Sequence, residues 1–283
     1  MVKPKYVLDY TLIKAQIDRL LQSVPNKLER EWHAPTNPAF MVLLGTVTTV
    51  GNTFRTIGFL SVDKPQDWRH RPEIALTVPV LARMIIDALY TCVFLFEELP
   101  ARADWYMCAG WRELAEHIDR AKRDYGSNPD WAEYLSEAEP NLEKIRLLIG
   151  KPQPELRNTQ WWPTPPQMKR FIRDSATAAF FRHLDDWYYR EFSQVSHGSL
   201  PGLIHTAGAL RDLAKGKTTR FELMRGYHFM QVVMLLITLY SEIDAELKLG
   251  VANDLSYVWE MLKQHYPFAN EMYDQREYAR RLS

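Results

Sequence analysis

A chain of 283 residues can bury a sizeable core as one large or two small domains. Its 35 basic and 35 acidic residues cancel, which weighs against the basic surface of a broad nucleic-acid coat. Two cysteines, Cys92 and Cys108, each without a second Cys or a His at metal-ligand spacing, suit a reducing cytoplasm.

The chain begins Met-Val-Lys-Pro-Lys-Tyr, with no apolar run behind the charges, so no signal peptide is expected and the location is read as cytoplasmic. Leu8, Leu12, Ile13, Ile17, Leu20, Leu21 and Val24 then form a stripe at helical spacing. Asn37 before Pro38 predicts the cap and first turn of a second helix, running to about Leu60. Residues 61–72 carry prolines and charges without a period and are expected to be irregular.

Ile74 to Phe96 is a 23-residue apolar run interrupted by Pro79, Arg83 and Asp87. A charge at the centre of an inserted helix costs about 2.5–3.5 kcal/mol, and this run has two, so it reads as a core helix with no membrane involved. Arg83 and Asp87 lie at i and i+4, can pair directly, and are expected to be mostly buried. Glu113 and His117 share the same spacing on a strongly charged helix and read as a solvated face.

Pro100, Asn128-Pro129, Thr164-Pro165 and Asn253 mark further helix starts. Thr164 with Gln167, and Thr219 with Glu222, fit the capping box. Residues 150–166 hold five prolines and Trp161-Trp162. They mark either a boundary between an N-terminal region, 1–150, and a C-terminal region, 151–283, or a long surface loop pinned by its tryptophans. Phe229 to Tyr240 is apolar but too short to span a bilayer. No alternating stretch of useful length and no repeat occurs, so the fold class is all-α, a bundle of about nine to ten helices.

Residues 188–201 hold the constellation that looks most like chemistry. Seven positions separate Arg190 from His197, about 700° of helical rotation, which places both on one face with Ser193 between them. Tyr189 lies four residues before Ser193 and joins that face, and Gly198 and Pro201 are expected to end the helix. An imidazole moves protons near neutral pH, and a guanidinium holds a phosphate or a developing oxyanion. The segment lies in the basic part of the chain: Lys151 to Arg225 has twelve Lys/Arg against seven Asp/Glu. His183 with Asp185 and Asp186 lacks a third ligand by spacing, so no metal is expected. There is no P-loop, GxGxxG, GxSxG or HExxH, and no cofactor is expected. The non-catalytic alternative is a histidine capping a helix end, a surface arginine, and a buried polar network that fixes the bundle.

Two family resemblances meet at these residues. Arg83 and Asp87, followed by Tyr189, Ser193 and His197-Gly198-Ser199, resemble the bacterial helical family DUF5677 over roughly residues 70–215. That family shows an Arg-x-x-x-Glu helix and a later Tyr-x-x-x-Ser-x-x-x-His segment; Asp87 stands where the Glu is expected, and the family brings no established activity. Arg190-x6-His197 is also similar to the Arg-x4-6-His motif of HEPN ribonucleases. Those are all-α, usually dimeric, metal-independent RNA-cleaving domains of toxin–antitoxin and anti-phage systems. That resemblance implies an RNA substrate, a homodimer, His197 as the proton-transfer residue and Arg190 as the phosphate ligand. Glu191 departs from the motif, which commonly has Asn, Asp or His after the arginine. The competing expectation is an antitoxin, sensor or scaffold that binds a protein from the same locus.

Overall fold

Leu, Ile and Val recur at three- and four-residue steps along most of the chain, and each such stretch winds into a helix that turns its stripe inward. The computed structural model describes residues 10–32, 37–63, 72–196, 199–217 and 219–282. It is 85% helical, and no strand occurs among the described residues. The helices are α1 (Thr11–Trp32), α2 (Pro38–Gly58), α3 (Pro72–Phe96), α4 (Leu99–Tyr125), α5 (Ala132–Ile149), α6 (Gln153–Arg157), α7 (Pro165–Met168), α8 (Ser175–Leu184), α9 (Arg190–Ser196), α10 (Leu200–Ala214), α11 (Thr219–Leu247), α12 (Ala252–His265), α13 (Pro267–Gln275) and α14 (Tyr278–Arg281). A π-helical turn, Asp185–Tyr189, joins α8 to α9 in one rod; with that rod counted once, ten helices among the described residues span seven residues or more.

Local signals account for many of the boundaries. Asn37 Oδ1 accepts from the Ala39 N–H at 2.9 Å, and Pro38 fills the first helical position. The capping box of Thr164 and Gln167 forms at the start of α7. Helix α11 opens at Thr219 itself rather than after it. Beyond Gly58, α2 runs on as a second π turn, Phe59–Asp63; the remaining residues of the segment expected to be irregular, 64–71, lie outside the described residues.

Helix α3 is central, packed on α2, α9 and α11. Its stretch Thr77–Phe96 is long and apolar enough to cross a membrane by length and composition, with a mean hydropathy of 1.8, and 61% of it is buried against these neighbours. Helix α11 contributes an unbroken buried run from Phe229 to Asp244. One core reaches from Ile13 to Leu282, drawing side chains from both 1–150 and 151–283. Helix α5 stands apart from it and meets α4 and α6 in a smaller cluster around Trp111 and Leu156.

Residues 150–166 lie on this framework as a loop with two short helices. The Trp162 ring meets Phe94, Trp105 and Tyr106 edge-on at 4.9–5.4 Å. Trp105 Nε1 donates to the Gln160 carbonyl at 2.7 Å. At the other end of the bundle, the buried Glu242 on α11 receives Arg276 Nε and Nη2 at 2.8 and 2.6 Å, Arg281 Nη1 at 3.0 and 3.1 Å, and the Tyr278 hydroxyl. This network ties α14 and the end of α13 to α11.

Candidate functional site

The site is built on the rod of α8, the π turn and α9. Asp174 caps α8, its Oδ2 accepting from the Thr177 N–H at 2.6 Å. The π turn adds a residue to one helical revolution, so the residues beyond it are rotated from where an uninterrupted α-helix would put them; such turns are frequent at functional sites. Tyr188 points into the core, its hydroxyl 3.7 Å from Met234 Sδ.

Four of the sequence-predicted residues come together here. The Arg83 guanidinium lies over the Tyr189 ring, 3.6 Å from its centroid. Its Nε donates to both Asp87 carboxylate oxygens at 3.1 Å, and its Nη1 donates to Ser193 Oγ. Tyr189 in turn meets Tyr90 edge-on at 5.9 Å, and the Tyr90 hydroxyl donates to the Phe181 carbonyl. Arg83 thus links α3 to the turn and to α9.

The expectation of a mostly buried pair is corrected for one partner. The Arg83 side chain is 19% exposed, but that of Asp87 is 43% exposed. The reason is the position of Asp87 on the flank of α3 that borders a groove toward α2 and α4. Burial still raises the Asp87 pKa above the ordinary carboxylate value, outweighing the opposing pull of Arg83.

The expected common face of Arg190 and Ser193 is also corrected. Ser193 turns to α3, whereas the Arg190 side chain is 65% exposed and its Nη2 lies 3.6 Å from the exposed Asp186 Oδ1. Three α-helical steps give about 300°, so the two directions diverge by about 60°, enough to put one in the interface and the other in solvent. His197 and Gly198 lie outside the described residues. Helix α9 is described to Ser196, and Pro201 does not end it; Pro201 sits in the first turn of α10, where a missing N–H costs nothing.

The sequence reading missed the inward partner of α9. Glu191 Oε1 lies 3.4 Å from His228 Nε2, and its Oε2 accepts from Gln231 Nε2 at 3.0 Å. Burial alone would raise the Glu191 pKa, but the hydrogen bonds from His228 and Gln231 outweigh it and hold the group below its ordinary value. Burial, assisted by Glu191, pushes the neighbouring Tyr227 phenol up to about 12. His228 Nδ1 and Gln231 Oε1 are buried without a hydrogen-bond partner. The one sequence signal was polar: His228 and Gln231 interrupt the apolar face of α11 three residues apart.

Glu113 and His117 are exposed, as read from the sequence. His183 is half-buried, and burial lowers its pKa. Among the described residues no three His, Cys, Asp or Glu side chains come together as metal ligands. No family model, no curated protein and no solved structure matches the chain.

Proposed function

We propose that this protein is a HEPN-like, metal-independent endoribonuclease that works as a homodimer, a toxin or anti-phage defence effector. The observation that carries the reading is the exposed Arg190 guanidinium directly after a π turn, on a segment anchored by Ser193 to α3 and by Glu191 to α11. A cation held on a fixed backbone and open to solvent suits an RNA phosphate. Leu200, Leu203 and Ile204 on the next helix are exposed at i, i+3 and i+4, an apolar stripe that a second copy would cover.

In this reading Arg190 holds the phosphate and His197 handles the protons. The RNA 2′-oxygen attacks the adjacent phosphorus as its proton passes to an imidazole. The bond from phosphorus to the 5′-oxygen breaks, and the leaving oxygen takes a proton from the imidazole of the second copy. The products are a 2′,3′-cyclic phosphate and a 5′-hydroxyl.

The test is incubation of purified protein with total RNA, with and without EDTA. Cleavage that survives EDTA and leaves cyclic phosphate ends is expected. His197→Ala should lose about 10²–10⁴-fold, the usual contribution of general acid–base catalysis. Arg190→Lys should also be impaired, because an ammonium does not replace a bidentate fork. Equal RNA degradation by wild type and His197→Ala overturns the reading.

A second reading is a non-catalytic interaction module: an antitoxin, sensor or scaffold that binds a protein from its own locus. The engagement of Arg83 favours it, since Nε, Nη1 and the ring-facing plane are committed to Asp87, Ser193 and Tyr189. Those four residues then serve packing alone.

A further inference from the structure

Helices α2, α3 and α4 enclose an open groove of about 400 Å³, within the range of small-molecule sites, which run from roughly 300 to 1,000 Å³. Met41, Met84, Met107 and Tyr106 line it beside smaller side chains, and Gly45 leaves part of one wall bare. Asp87 is the one charged side chain among the described lining residues.

Three polar groups of this groove present acceptors. The Thr46 hydroxyl spends its hydrogen on the Val42 carbonyl at 2.8 Å, and the Thr53 hydroxyl on the Thr49 carbonyl at 2.9 Å. Both then present lone pairs. The Asp87 carboxylate takes one guanidinium N–H, that of Arg83 Nε, between its two oxygens at 3.1 Å. Each carboxylate oxygen keeps capacity for further donors. The groove therefore combines soft apolar walls with acceptors, among them a carboxylate that is half of the Arg83 ion pair. Thioether and phenol walls also suit an aromatic ring or a cation.

We propose that this groove binds a small aromatic or alkyl amine in its protonated form, with the ammonium on Asp87 and the apolar body among Met41, Met84 and Met107. The ammonium brings three donors to a surface of acceptors, and its charge complements the single carboxylate. The proposal stands apart from the reading of Arg190 and His197 and does not depend on RNA cleavage.

The test uses protein labelled with ¹³C at the methionine methyls, titrated with 2-phenylethylamine and, separately, with the neutral 2-phenylethanol. Saturable shifts of the Met41, Met84 and Met107 signals are expected, with the rest of the ten methionines unmoved. The alcohol should bind at least about tenfold more weakly, and Asp87→Asn should weaken the amine by about tenfold or more, the scale of one charge-assisted hydrogen bond. Gly45→Leu keeps the helix and fills the groove, since nothing lies within 4 Å of the added Cβ; it should abolish the shifts. Absence of saturable shifts at the three methionines overturns the proposal. So does equal binding of alcohol and amine, or unchanged binding by Gly45→Leu, and these two results stand even where Asp87→Asn fails to fold.

Discussion

Replacing Arg83 with Met tests whether α3 and α9 are held together by one side chain. Methionine keeps the apolar stem and removes the guanidinium. Three interactions go with it. The bond from Nε to Asp87 is charge-assisted and belongs near the lower end of about 1.5–3 kcal/mol, because Asp87 is 43% exposed and water can take over. The bond to Ser193 Oγ adds about 1 kcal/mol. Stacking on Tyr189 at 3.6 Å adds about 0.5–1 kcal/mol. The expected cost is therefore about 3 kcal/mol, a substantial share of a domain stability of about 5–15 kcal/mol. Urea unfolding at neutral pH measures it. Ser193→Ala alone and combined with Arg83→Met closes a double-mutant cycle, in which a coupling of about 1 kcal/mol is expected. A cost of Arg83→Met below about 0.5 kcal/mol, the level of an exposed ion pair, refutes the clamp. Zero coupling with Ser193 refutes the specific link to α9.

Burial would raise the Glu242 pKa, but Arg276 and Arg281 outweigh it, so the folded value lies below the ordinary 4.5. The sign follows: the stabilisation is present above pH 4.5 and is lost as pH falls through the folded value. Glu242→Gln should therefore be destabilised at neutral pH and lose less than wild type on acidification, read by thermal unfolding between pH 3 and 7; parallel curves would refute the linkage. Arg190→Ala should change stability by less than about 0.5 kcal/mol, because its one ion pair is long and exposed; a larger loss would place Arg190 in the packing. Leu203→Glu, in the exposed stripe of α10, should shift a dimer to monomer in light scattering, and an unchanged mass would remove α10 from the interface.

The features legible in the sequence are those whose cause is local. Asn37 and Thr164 announce caps because the residues they bond lie two or three positions away. Arg83 and Asp87 stand out because two charges at i, i+4 in an apolar run need each other. The partnership of Arg83 with Ser193, 110 residues on, follows from no spacing rule. Glu242 with Arg276, 34 residues apart, and Glu191 with His228 were illegible for the same reason. A charged residue that will be buried with a distant partner is written with the same letter as one bound for solvent. The π turn leaves no mark either, because one inserted residue changes the phase of a helix without changing its composition.

The directions of Arg190 and Glu191 follow from what their neighbours hold. Extrapolating one α-helical face from Arg190 through Ser193 assumes that burial follows the arginine. The fold instead anchors the helix through the residues on either side of Arg190. Tyr189 carries the Arg83 guanidinium on its ring, and Glu191 takes hydrogen bonds from α11. With both neighbours committed inward to different helices, the side chain between them has one direction left, and it is solvent. The glutamate that looks wrong beside a phosphate in the bare sequence is thereby turned away from the arginine and takes its hydrogen bond from Gln231 on α11. Glu191 therefore faces α11 while Arg190 faces solvent, although the two are adjacent in the chain.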